Sequence, residues 1–98
     1  MDTTAPAPAT DDQRLARIEA LRAHLDTVDK ARGLLQRELH REVWAAFPEN
    51  HGERRRQGVL GDVTTRSGYS REHVAKIRDK DVEAAPEESW RDVLRTAL

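Results

Sequence analysis

Val59 to Lys80 reads VLGDVTTRSGYSREHVAKIRDK, and its spacing predicts two short helices joined by a sharp turn. Counting from Leu60, Val63 is the inward residue of a first helix and Gly68 supplies the turn. Tyr69 is the large apolar residue directly after the glycine. Val74 and Ile77, three apart, form the inner face of a second helix that packs back on the first. Ser70 stands where an N-cap belongs, so its hydroxyl can accept from a backbone N–H in the first turn. Ser70, Arg71, Glu72, Ala75, Lys76 and Asp79 then point outward. Two positions depart from the usual pattern of a helix-turn-helix. Thr64 takes the place of a tiny residue at the helix crossing, and Ser67 the place of an aliphatic one.

Upstream, Thr10-Asp11-Asp12-Gln13 fits a capping box, with two acids at the positive end of the helix it starts. A helical pattern follows to about Ala46, with apolar residues at Ile18, Leu21, Leu25, Val28, Leu35 and Leu39. These positions form a heptad seam interrupted by Arg32 and Glu42. Leu15, Leu34, Val43, Trp44 and Phe47 lie off the strict seam. The C-terminal half of this helix is therefore expected to pack on the small domain while the N-terminal half projects. Gly33 could permit a bend. Phe47 to Gly52 ends the helix in a turn, Asp81 to Ala85 reads as a linker, and Pro86 is expected to open a last helix. Its stripe of Trp90, Val93, Leu94 and Leu98 is expected to dock on the helix-turn-helix domain.

The expected architecture is all-α: a disordered lead-in over 1–9, a long coiled-coil-like helix over 10–47, a helix-turn-helix domain over 48–80 and a short helix over 86–98. A projecting seam with nothing in so small a domain to cover it predicts a homodimer through Ile18, Leu21, Leu25, Val28 and Leu35.

Charge is distributed unevenly along the 98 residues, although the net formal charge is only −1. Residues 1–49 carry seven Lys/Arg and nine Asp/Glu, residues 50–80 carry eight and four, and residues 81–98 carry two and five. The positive excess is confined to the helix-turn-helix segment. Local charge is what a phosphate backbone meets, because salt screens anything beyond about 10 Å at 0.1 M.

The run Trp44-Ala-Ala-Phe-Pro-Glu, an Arg-rich stretch, and then Gly68-Tyr-Ser-Arg-Glu-His-Val-Ala-Lys-Ile-Arg-Asp79 resembles small helix-turn-helix proteins of actinomycetes, their plasmids and their phages. The resemblance covers about residues 40–80 and extends to the helix-turn-helix modules of sigma-factor region 4 and of resolvases. It implies double-stranded DNA binding, as a transcriptional regulator or a plasmid or phage maintenance factor. Within that expectation Arg71 suits a guanine edge, and Ser70, Glu72 and Lys76 share its outward face. Arg54, Arg55 and Arg56 suit phosphates. The rival expectation is an adaptor or antitoxin-like protein that binds another protein through the long helix and uses the helix-turn-helix as scaffold.

Other classes find little support. The chain has no cysteine, so disulfide scaffolds and thiolate metal sites are excluded. His24, His40, His51 and His73 lack metal-ligand spacing, and no nucleophile–base pair or phosphate loop stands out. Neither an enzyme nor a cofactor is expected. Met1 to Ala9 is short, acidic and Pro/Ala-rich, unlike a signal peptide, and no apolar run approaches the roughly 20 residues that span a bilayer. Arginine outnumbers lysine 14 to 3, the skew of GC-rich bacterial coding. The expected setting is cytoplasmic and nucleoid-associated, without a membrane partner.

Overall fold

The computed structural model describes residues 10–97, all of them in helices or the connections between helices. The lead-in expected over 1–9 and the stripe position Leu98 lie outside the described residues. Helix α1 spans Asp11–Ala45, a one-turn 3-10 helix spans Pro48–His51, and α2, α3 and α4 span Val59–Ser67, Arg71–Asp79 and Trp90–Ala97. No helix among the described residues is long and apolar enough to cross a membrane.

Local rules set the start and end of α1. Thr10 Oγ1 accepts from the Gln13 N–H at 3.2 Å, and Gln13 Oε1 accepts from the Thr10 N–H at 3.1 Å. This reciprocal cap satisfies two donors that the first turn would otherwise leave open. The helix passes through Gly33 without interruption. At the other end Asn50 Nδ2 donates to the Trp44 carbonyl at 3.0 Å, and His51 Nε2 to the Ala45 carbonyl at 2.8 Å. Gly52, at φ 75°, then reverses the chain in a conformation that only glycine adopts without strain.

The core joins three helices. Val43 near the end of α1, Phe47 in the turn after it, Val59 of α2, and Val74 and Ile77 of α3 form one buried cluster, with Trp44, Leu60, Val63 and Tyr69 packed around it. Phe47 retains 2% of its exposure and Val74 none. The inward pattern of α3 is therefore as the spacing predicted. In α2 the buried residue is Val59, one position before the Leu60 from which the pattern was counted, and Val63 is only half-buried.

The C-terminal helix departs from expectation in start and in docking site. It begins at Trp90, not Pro86, with the Ser89 carbonyl accepting from the Val93 N–H and Ser89 Oγ from the Arg91 N–H. Serine is the better cap, and it overrides the first-turn preference of proline. The helix packs on α1, away from the helix-turn-helix domain. Val93 is buried there at 6% exposure, and Ala31 is the buried residue that α1 contributes outside the core. Trp90 stays half-buried, its ring covered by the Arg91 guanidinium 4.6 Å from the centroid. Ala31 is buried on the helix that α4 packs against, where a long charged side chain would have no room.

The connecting segment is strapped to α1 by long-range bonds. Trp44 Nε1 donates to the Lys80 carbonyl at 3.0 Å, Arg37 to the Ala84 carbonyl at 3.0 Å, and Arg41 to the Glu83 carbonyl. Lys30 meets Glu88 at 2.9 Å. Each side chain along one face of α1 thus holds a successive point of the returning chain.

Two expected outcomes test this packing. Phe47→Ala should lower stability by about 3–5 kcal/mol, the range for an aromatic removed from a core, measured as a shifted urea midpoint. Ala31→Arg should leave the core intact but undock α4, so that limited proteolysis cuts within residues 81–98 far faster than in the parent. An unchanged cleavage pattern would contradict the α1–α4 contact.

Candidate nucleic-acid interface

Helices α2 and α3 meet across Gly68, whose φ of 75° turns the chain between them. Ser70 Oγ accepts from the His73 N–H at 3.1 Å, the N-cap that the sequence predicts for α3. Ser67 adds a bond with no counterpart in an aliphatic residue, because its Oγ accepts from the Tyr69 N–H at 3.1 Å and so closes the turn. Thr64 brings no such return. Its Oγ1 is buried at the helix crossing without a hydrogen-bond partner. A buried hydroxyl without a partner costs free energy that a methyl group avoids.

With Val74 and Ile77 turned inward, Glu72, Lys76 and Asp79 fall at four- and three-residue spacing on the opposite, exposed face of α3, and Ala75 is half-buried beside them. Ser70 and Arg71 are exposed at the N-terminal end of this face. The Arg71 guanidinium lies along α2, with Nη2 3.7 Å from where a Cβ on Gly61 would sit. The C-terminal end is fixed differently. Arg78 makes two hydrogen bonds to Asp79, at 2.8 and 3.2 Å, and its guanidinium lies 5.6 Å from the centroid of the Phe47 ring. The hydrogen bonds from Arg78 hold the Asp79 carboxyl below its usual range, and the charge of Arg55 acts in the same direction.

The three consecutive arginines are not equivalent. All are exposed, in the segment between Gly52 and α2. Arg55 Nε sits 3.7 Å from a Glu49 carboxylate, so it is already partly neutralised and less suited to a phosphate than the sequence suggested. Arg54 and Arg56 have no ion-pair partner among the described residues, and neither do Arg66, Arg71, Lys76 and Lys80. Six of the eight cations between residues 50 and 80 thus have no counter-charge among the described residues. Outside that segment, Arg22, Lys30, Arg37 and Arg95 each face a carboxylate of their own chain.

Beside this face lies a second cluster that sequence spacing does not bring together. His40 Nε2 is 3.2 Å from Tyr69 Oη, and the Tyr69 and His73 rings stack at 4.3 Å between centroids. His40 also approaches a Glu83 carboxylate at 3.9 Å. The cluster seats the N-terminal end of α3 on α1, and it joins His40 to Tyr69 across 29 positions, which no local pattern reports. No group of three or more potential metal ligands occurs among the described residues. The seam positions Ile18, Leu21, Leu25, Val28 and Leu35 are all exposed and distant in sequence from this face. No family model, curated protein or solved structure matches the chain.

Thr64→Ala should leave stability unchanged or raise it by up to about 1 kcal/mol, since it removes a buried hydroxyl that gains nothing. A thermal or urea melt decides this, and a loss above that size would mean that the hydroxyl has a partner.

Proposed function

We propose that this protein binds specific double-stranded DNA with α3 in the major groove, acting as a homodimer held by the α1 seam. Its role is then that of a transcriptional regulator or a plasmid or phage maintenance factor. The observation that carries this reading is the set of cations on the helix-turn-helix segment that have no counter-charge among the described residues. Such side chains can neutralise phosphates and release counterions without first breaking ion pairs of their own. The exposed face of α3 supports it further: Arg71 and Lys76 are exposed there, and α4, the element able to cover that face, packs on α1 instead. The resemblance of residues 40–80 to small helix-turn-helix proteins of actinomycetes, plasmids and phages points the same way.

In this reading Arg71 and Lys76 reach base edges or the phosphates flanking them, with Ser70 and Glu72 beside them, and Arg54 and Arg56 hold phosphates. Arg55 acts mainly inside the protein, through Glu49.

A second reading rests on a separate observation. The apolar seam of α1 is exposed over most of its length, with Leu21 at 67% and Ile18 at 55%. An adaptor or antitoxin-like protein would present such a seam to a different protein, with α2 and α3 as scaffold.

Gel shifts separate the two. Arg71→Ala should weaken binding to a selected site by about 1–3 kcal/mol and relax preference at one base pair. Arg56→Ala should weaken binding to every duplex alike and reduce the salt slope by about one unit, whereas Arg55→Ala should do less than either. Absence of duplex binding at low salt would sink the DNA reading and leave the adaptor.

A further inference from the structure

The returning chain and α4 occupy one face of α1, through Lys30, Ala31, Arg37 and Arg41. At 3.6 residues per turn, Leu21, Leu25, Val28 and Leu35 lie on the side of α1 opposite Lys30, Arg37 and Arg41, with Val28 and Leu35 one turn before and after Ala31 at the edge of the α4 contact. Accordingly they remain 45–67% exposed although the chain has a fourth helix that could have covered them. The seam is thus spared by the fold, and an uncovered heptad seam of this length is the surface a second helix needs.

We infer that the occupant is a second copy of this chain and that the two α1 helices run antiparallel. This rests on the homodimer reading above and adds orientation and register. Take Ile18, Leu25, Arg32 and Leu39 as one set of core positions, and Leu21, Val28 and Leu35 as the other. A parallel pairing sets each residue against its own copy. It places Arg32 against Arg32 inside the seam and Arg17 against Arg22 on each flank, three like-charge pairs in all. An antiparallel pairing with Leu25 against Val28, Ile18 against Leu35 and Arg32 against Leu21 removes both conflicts.

Charge complementarity then selects the antiparallel register. On one flank Arg17 of each copy comes opposite Glu38 of the other, and on the second flank Arg22 comes opposite Asp29. Each pair occurs twice by symmetry. Arg17, Asp29 and Glu38 are exposed and have no ion-pair partner among the described residues, so they are free for this use. Arg22 lies 3.0 Å from Asp26 in its own helix, an exposed contact of small worth that it can exchange.

The orientation fixes what the dimer presents. The pairing is centred between residues 26 and 27, so the two Val43 positions, where each helix-turn-helix domain attaches, stand about 50 Å apart along the axis. Under the DNA reading, the half-sites lie further apart than the one turn of roughly 34 Å that separates adjacent readers in compact dimers.

Charge swaps tested by sedimentation equilibrium decide the matter, and both positions are exposed enough to be changed without touching the core. Arg17→Glu should weaken self-association about tenfold, Glu38→Arg likewise, and the double variant should recover to within about twofold of the parent. In a parallel dimer Arg17→Glu would instead strengthen association, by relieving repulsion from Arg22, and Glu38→Arg would not rescue it. That result overturns the orientation while leaving the homodimer standing. A full-length parent that stays monomeric at micromolar concentration overturns both. Neither result bears on whether duplex DNA is bound, which the gel shifts read separately.

Discussion

The contact that everything else depends on is the burial of Phe47 and Val43, at the end of a 35-residue helix, against Val59, Val74 and Ile77 of the two short helices. Nine-residue helices are too short to persist alone in water. Here they persist because each contributes one or two side chains to a shared core whose largest member, Phe47, stands just past the end of α1. The same packing fixes which side of α3 is free. With Val74 completely buried, the face carrying Glu72 and Lys76 has no other direction to take.

A core of five buried residues cannot also hold down the rest of the chain. Polar straps do that work along α1, where Trp44, Arg41, Arg37 and Lys30 engage Lys80, Glu83, Ala84 and Glu88 in order. These contacts are mostly exposed, and each is individually weak. Their consequence is electrostatic as much as structural. The acidic C-terminal segment is brought onto the cations of α1, while six of the eight cations of residues 50–80 have no counter-charge among the described residues. The near-zero net charge of the whole chain conceals this separation, which supports the proposed approach to a polyanion.

The two departures of residues 59–80 from the usual helix-turn-helix pattern turn out to differ physically. Ser67 compensates for its lost apolar contact with a hydrogen bond that steadies the turn, whereas the hydroxyl of Thr64 is buried without one. The first substitution is accommodated and the second is a local defect. A pattern of residue types treats both simply as mismatches.

Most short-range rules were legible from residue order, although Ser89 outcompeted Pro86 for the start of α4 and Val59, not Val63, is the buried residue of α2. The Thr10–Gln13 capping box, the Ser70 cap, the Gly68 turn and the inward Val74 and Ile77 depend on residues within a few positions of one another, and they stand in the structure as the sequence predicts. The all-α class and the long first helix follow from the same local periodicity. What needed the tertiary structure was every choice between distant surfaces. The helix that carries Val93 packed on α1 and not on the helix-turn-helix domain. Arg55 was claimed by Glu49, and His40, Tyr69 and His73 came together as one cluster. An apolar stripe records that it must be buried but not against what, because hydrophobic burial is non-directional. An arginine records its charge but not whether a carboxylate of its own chain arrives first. Sequence order determined the elements and the faces they must hide, and only packing in three dimensions decided which faces met and which cations were left free.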